Sequence, residues 1–386
     1  MIRSIVIFFT VGLAGFAAEP TFRVHQISGK DTSKTFTSDT LQSTWITIRR
    51  EKASLPTPPD GPQMIFRNGD RLPIDLNTVK LVGESLTFTH TIFGEKIQKA
   101  PLSSVAALWQ AAPINERAFP FIRQLVDQKR DQDLVLLQNG DSVKGILSAI
   151  DAKQFKLDVE GETVTVAREK TATIAFFGKK SDPTALPHIL ATLKDGARIT
   201  LKSIQLKNGT VQGVTVRGSN VSIPLDQLIA LRRFQKSVIY LSDLESMKYE
   251  HRPYLSLNWK LQRDASVTED PLTLRDGAHD KGLGMHSAST VTYHIPKDAE
   301  WFESRVALDA KTGKRGHVVI AVLIDGKEIK LPSSELSASQ KVSLRLKVNG
   351  GKTLTLRVDF GKRGDVGDHV NWVGACFLLS ESKAGG

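Results

Sequence analysis

Apolar and polar residues alternate with a period of two through most of this chain. Ile199/Leu201, Ile204/Leu206, Val214/Val216 and Val221/Ile223/Leu225 form one such series. A period of two places successive side chains on opposite faces, so these runs predict half-buried strands. Three segments open alike. They are Met64-Ile65-Phe66-Arg67-Asn68-Gly69-Asp70, Leu134-Val135-Leu136-Leu137-Gln138-Asn139-Gly140-Asp141 and Ile189-Leu190-Ala191-Thr192-Leu193-Lys194-Asp195-Gly196. Each reads as a strand and a tight Asn-Gly or Asp-Gly turn, and another strand follows. These dipeptides tolerate the positive φ that two-residue hairpins require. Two segments also close alike, Pro101-Leu102-Ser103-Ser104-Val105-Ala106-Ala107-Leu108 and Pro224-Leu225-Asp226-Gln227-Leu228-Ile229-Ala230-Leu231.

Self-similarity at this spacing points to repeated small β-units, each the size of an SH3-like or Sm-like barrel. The pattern predicts a degenerate β-repeat region over 19–110, a connecting helix or linker over 111–133, and further β-repeats over 134–180 and 181–235. Within the connector, Ile114, Ala118, Phe121, Ile122 and Leu125 fit one helical face, which Pro120 is expected to interrupt. One Asp per hairpin is too few oxygen ligands for calcium, so the Asn-Gly-Asp triplets read as turn chemistry. Small repeated barrels of this kind serve as spacers or interaction platforms.

The texture changes after Gln235. Val342/Leu344/Leu346/Val348 and Leu354/Leu356/Val358/Phe360 alternate around Asn349-Gly350-Gly351. Val318 to Ile324 is almost continuously apolar, which predicts a strand buried on both faces. Eight or so strands within 236–382 predict an antiparallel sandwich or jelly roll. The whole chain is therefore expected to be all-β.

The first residues have the form of a secretory signal. Arg3 precedes the apolar stretch Ser4 to Phe16, and small residues follow at Ala17 and Ala18. A signal peptide over 1–18 predicts a secreted or periplasmic protein of a bacterial envelope. The single Cys, Cys376, lies in the apolar run Ala375 to Leu379 and reads as a buried, inert thiol. The formal charge of +11 is spread along the chain, with no stripe of Lys and Arg interleaved with aromatics. That distribution and export both argue against nucleic acid as a partner. A basic surface still suits acidic polysaccharide or envelope components.

Several blocks of the C-terminal region recur in a known order. They are Tyr240-Leu241-Ser242-Asp243-Leu244-Glu245, then Trp259, Pro271-Leu272-Thr273-Leu274, Lys281-Gly282-Leu283-Gly284-Met285-His286-Ser287 and Asp368-His369-Val370-Asn371-Trp372-Val373-Gly374-Ala375. Over 236–382 this resembles the NPCBM family of carbohydrate-binding modules, related to family 51 carbohydrate-binding modules. Ser287, Val370 and Val373 depart from residues common in the family. The resemblance implies a galactose-binding-like β-sandwich that binds glycan, often beside enzymes acting on sugars, and in some members a structural calcium.

A sugar offers an apolar C–H face and a ring of hydroxyls, so its site needs a flat aromatic and a few fixed polar groups. Trp259, Tyr254, Trp301 and Trp372 are the candidate platforms. Asp243, Glu245, Asp276, His279, Asp280, His286, Asp368, His369 and Asn371 are the candidate polar groups. Trp259, His286, Asp368, His369, Asn371 and Trp372 form the favoured set. Trp372, just before the final apolar strand, reads more as core than as platform, and His286 and the Asp368–His369 pair read equally as loop-ordering groups.

No G-x-S-x-G, H-E-x-x-H, phosphate-binding or dinucleotide-binding motif occurs. A glycosidase needs two carboxylates held across a sugar subsite, and small β-repeats leave no scaffold for such a cleft. Asp368 and His369 could act as acid and base, but no nucleophile accompanies them. The reading is a non-catalytic glycan-binding protein. A structural or protein-interaction component of the envelope is the alternative, and a glycoside hydrolase is a more distant one.

Overall fold

The computed structural model describes residues 20–56, 61–94, 96–311 and 315–380. The leader expected over 1–18 lies outside the described residues. Among these residues no helix is long and apolar enough to cross a membrane. The chain is almost entirely β, in two regions that pack against each other.

In the N-terminal region, strands from three successive units join one long antiparallel sheet. In the second unit the strands Asp133–Leu137, Ser142–Ile150, Gln154–Val159, Glu162–Ala167 and Thr171–Ala175 form a meander. Its last strand returns to pair with its first. The third unit follows the same course from His188–Leu193 to Leu228–Phe234. In the first unit Val105–Trp109 returns to Gln63–Phe66, while Lys80–Val82, Ser85–Phe88 and Gln98–Pro101 form a separate three-stranded sheet. Pairing between units then extends the sheet, as where Thr171–Ala175 lies beside Val105–Trp109.

The units do not stand apart as beads. Phe22, Trp45, Phe66, Val135, Phe155, Leu193 and Ile199 belong to one continuous apolar core. Each fully buried side chain of this size contributes roughly 1.5–3 kcal/mol relative to exposure.

The hairpin turns differ from the two-residue form expected. Gly69 N–H donates to the Phe66 carbonyl, and Phe66 N–H donates to the Asp70 carbonyl. Three residues therefore span the turn, and the bonding repeats around Gly140 and Gly196. Only the glycines adopt positive φ, between +86° and +93°. This is a type I turn closed by a left-handed glycine. Asp70 is also more than a turn residue. It is buried, and its Oδ1 accepts from Thr200 N at 2.9 Å and Thr200 Oγ1 at 2.6 Å.

The connector contains the helix Ala118–Asp127. Pro120 lies in its first turn, where a missing N–H costs no intrahelical bond, so the helix runs on without interruption. Phe121, Ile122 and Leu125 seal it onto Ile65, Ala107 and Trp109 of the sheet.

The C-terminal region is a sandwich of two antiparallel sheets. One contains Gly282–His286, His369–Leu379, Ala299–Leu308 and Lys341–Lys347 in that order. The other contains Lys248–His251, Ser289–His294, Thr353–Phe360 and His317–Ile324. Trp372, Phe302, Tyr293, Leu356 and Ile320 fill the space between them. The run Val318 to Ile324 was expected to be buried on both faces. Val318, Ile320 and Val322 are indeed fully buried, but Val319 and Leu323 are only half-buried. The strand therefore has one core face and one partly wet face.

The Lys281 to His286 block shows why its residues are needed. Leu283 and Met285 point into the core. Between them Gly284 lies so close to the neighbouring loop that a Cβ would fall 2.5 Å from the Ala265 carbonyl oxygen. Lys281 is buried, and its ammonium donates to Asp243 at 2.6 Å and Asp264 at 2.7 Å. Burial lowers the pKa of Lys281, but these two carboxylates outweigh it, and the net shift is upward.

Cys376 is buried against the N-terminal region, in a cluster with Ile46, Val238, Tyr240 and Leu378. Burial pushes its thiol up to about 12.

Candidate functional site: a tryptophan platform on the sandwich

The strand Lys248–His251 forms an edge of the second sheet, and the chain then loops out through exposed Tyr254, Leu255 and Leu257 before returning at Trp259. Tyr249 Oη donates to the Trp259 carbonyl at 2.9 Å, and Trp259 N–H donates to His251 Nδ1 at 3.3 Å. These bonds fix the returning backbone. The Trp259 indole is stacked on the His286 imidazole, with centroids 4.8 Å apart and planes 13° from parallel. His369 packs tilted against both rings, at 5.3 Å and 5.4 Å.

Burial disfavours charge on the histidines under the indole. His286 Nδ1 lies 2.7 Å from the Ser287 carbonyl oxygen and donates to it. Burial pushes the His286 imidazole down to about 4, and burial also lowers His369. A neutral imidazole stacks on indole without the cost of an enclosed charge.

Half-buried Trp259 lines a groove of about 790 Å³ together with His251, Asn258, Thr290, Arg357 and Asp359. The Arg357 guanidinium lies 2.8 Å from Glu328 and 3.0 Å from Asp359. An aromatic face beside fixed donors and acceptors is the arrangement that a sugar ring needs.

The favoured residues divide between surface and interior. Trp259 faces the groove, with His286 and His369 supporting it. Trp372 and Asn371 correct the expectation, because both are fully buried inside the sandwich and present nothing to a ligand. The Asn371 amide donates to the Thr273 carbonyl at 3.0 Å and to Asp309 at 2.7 Å. Asp368 is fully buried too. Its carboxylate accepts from Ser287 Oγ at 2.7 Å and from His317 N at 2.9 Å, which ties the entry to the last strand to the Ser287 loop and to the start of His317–Ile324.

The remaining candidates lie elsewhere. Trp301 is half-buried, with Arg345 over its ring at 4.6 Å and Lys347 at 5.5 Å. Tyr254 is exposed and meets Phe360 edge-on at 5.5 Å. Asp243 pairs with Lys281, and Glu245 is exposed. Asp276, His279 and Asp280 face the N-terminal region, where Arg49 meets His279 and Arg232 meets Asp280, while Asp276 pairs with Arg305 of the sandwich itself. Among the described residues, no group of three or more His, Cys, Asp or Glu side chains gathers to hold a metal. Calcium takes six to eight oxygen ligands, and Asp264 and Asp309 are already engaged by Lys281, Thr273 and Asn371.

His251, Asn258, Thr290, Arg357 and Asp359 escaped the sequence reading. Asn258 comes from the loop before Trp259, and the others come from strands that pair only in the fold, such as Ser289–His294 with Thr353–Phe360, so no local motif joins them.

A curated relative from Renibacterium salmoninarum, named "Putative endo-alpha-N-acetylgalactosaminidase", is 26% identical over 114 residues. The match covers 30% of this chain and 8% of the relative, so this chain spans only a small part of that protein. Among solved structures, the CBM51 from Clostridium perfringens GH95 in complex with methyl-galactose is 23% identical, with a TM-score of 0.33. That match covers 36% of this chain and 99% of the other. The CBM51-2 and INT domains of Clostridium perfringens ZmpB, in complex with GlcNAc, are 22% identical, with a TM-score of 0.34. There the coverage is 48% of this chain and 42% of the other. The family model of the NPCBM/NEW2 domain matches residues 237–378, which span the sandwich.

Proposed function

We propose that this chain is an exported, non-catalytic glycan-binding protein. Its sandwich takes a saccharide in the Trp259 groove, and its N-terminal sheet acts as a platform for other envelope or extracellular proteins. The observation that carries this reading is the half-buried indole, immobilised on His286 and facing a groove with Asn258, Thr290, Arg357 and Asp359. The apolar face of a sugar stacks on the indole, and its hydroxyls exchange hydrogen bonds with the polar wall. The NPCBM/NEW2 match over this region supports the same reading.

The non-catalytic part rests on Asp368. It is the carboxylate next to His369, yet it is fully buried, and both its oxygens accept structural hydrogen bonds. Burial raises its pKa first, and the bonds from Ser287 and His317 only partly oppose that. A group so engaged is not placed to exchange protons with a sugar.

The test is a glycan array and affinity electrophoresis with the full chain and its Trp259→Ala variant. The wild-type chain is expected to bind a defined subset of glycans, and the variant to lose at least about tenfold in affinity, since stacking residues act as binding hot spots. Unchanged retention in the variant would sink the assignment of the site. Turnover of chromogenic glycosides, abolished in Asp368→Asn, would overturn the non-catalytic reading.

A further inference from the structure

A second cavity, of about 660 Å³, lies between the N-terminal sheet and the sandwich. Its volume falls within the roughly 300–1,000 Å³ of small-molecule sites. Eight Arg and Lys side chains line it, against five carboxylates. Every one of the carboxylates already has a basic neighbour. Asp276 lies 2.6 Å from Arg305, Asp280 lies 2.7 Å from Arg232, and Asp31 lies 2.7 Å from His25. Glu303 pairs with Arg345, and Glu51 lies 3.8 Å from Arg23.

Four cations remain. Among the described residues, Arg49, Arg50, Lys52 and Arg275 have no carboxylate within 4.0 Å, although all four line the cavity. Arg49 instead donates to the carbonyls of Ala53 and Asp276 and to His279 Nδ1 at 3.1 Å. Its guanidinium is mostly desolvated, and burial lowers its pKa, with Asp276 and Asp280 pulling the other way and the like charge of Arg305 and Arg232 adding to the fall. Gathering more cations than carboxylates in a concave, partly desolvated space concentrates a positive potential there. Planar guanidinium groups match the geometry of oxoanions.

We propose that this cavity binds a ligand bearing a carboxylate, sulfate or phosphate group, with Arg49 and Arg275 as its principal contacts. It is separate from the Trp259 groove, and its walls come from both regions of the chain. Neither region alone forms it. Bound there, an anion would replace repulsion among the arginines with charge-assisted hydrogen bonds.

The test uses the full chain carrying Trp259→Ala, which disables the groove, and titration calorimetry at low ionic strength. The probes are trigalacturonate, inorganic sulfate and neutral galactotriose. Trigalacturonate, sulfate or both are expected to bind, with affinity falling steeply as salt rises. Binding of sulfate alone identifies a free anion as the ligand, and binding of trigalacturonate alone identifies an acidic saccharide. Arg275→Gln, at an exposed position, is expected to weaken that binding roughly tenfold with an unchanged melting temperature. The proposal is overturned if neither anion binds, if galactotriose binds as tightly as trigalacturonate, or if Arg275→Gln and Arg49→Gln both bind like the parent.

Discussion

The Trp259 indole lies 13° from parallel with the His286 imidazole beneath it, at 4.8 Å between centroids. His286 is itself buried and anchored to the Ser287 carbonyl. The half-buried platform is therefore held by a residue that does not line the groove. His286→Ala is expected to weaken glycan binding roughly tenfold through loss of this preorganisation, and His286→Phe, which restores a stacking surface, to recover much of it. Indole fluorescence anisotropy in the unliganded variants separates a loosened Trp259 from general unfolding.

Trp259 and Trp372 predict opposite costs on truncation. Trp372→Ala empties the centre of the sandwich and is expected to cost about 3–5 kcal/mol of stability. Trp259→Ala removes a half-buried ring and is expected to cost about 1 kcal/mol while removing glycan binding. Urea unfolding of the two variants checks the contrast.

Acid should loosen the contact between the two regions. His279 is buried between Arg49 and Arg305, and its Nε2 lies 2.9 Å from Asp276. Burial pushes its imidazole down to about 4. The unfolded chain, with a pKa near 6.5, binds the proton more readily than the folded one does. Stability from the neutral ring is therefore complete above about pH 6.5 and is lost as pH falls toward 4, by up to about 3 kcal/mol. Melting temperature is expected to fall across this window, and less steeply in His279→Gln.

The pair of Asp280 with Arg232 crosses between the two regions. Arg232 Nη2 lies 2.7 Å from the carboxylate, and Arg198 adds a second contact at 3.4 Å. Burial would raise the Asp280 carboxyl, but the two arginines outweigh it and hold it well below the usual carboxylate range. Asp280→Asn leaves buried guanidinium charge without its counterion and is expected to cost about 3–5 kcal/mol. Replacing Asp359, at the rim of the groove, by Asn is expected to change stability by less than about 1 kcal/mol. Chemical denaturation of both variants measures the difference.

Much of the fold could be read in the sequence because strand signals are local. Alternation in Leu354 to Phe360 marks one buried face, and Asn68-Gly69 marks a reversal, without knowledge of any partner. The order of blocks from Tyr240 to Ala375 likewise carried the family of the sandwich. What residue type could not decide was direction. Trp259 and Trp372 are the same side chain, yet one caps a groove and the other fills the core, because strand register and loop return set the facing.

Asp276, His279 and Asp280 looked like sugar ligands and became the inner wall of the contact with Arg49 and Arg232. That contact pairs residues more than forty positions apart, and only packing of the two regions creates it. The sequence by itself determined strands, turns and the sandwich family, since periodicity and turn chemistry act between near neighbours. The tertiary structure alone decided which polar groups meet, which ring stays wet and where unpaired positive charge collects, because burial and Coulomb interactions depend on distances that the chain order does not contain.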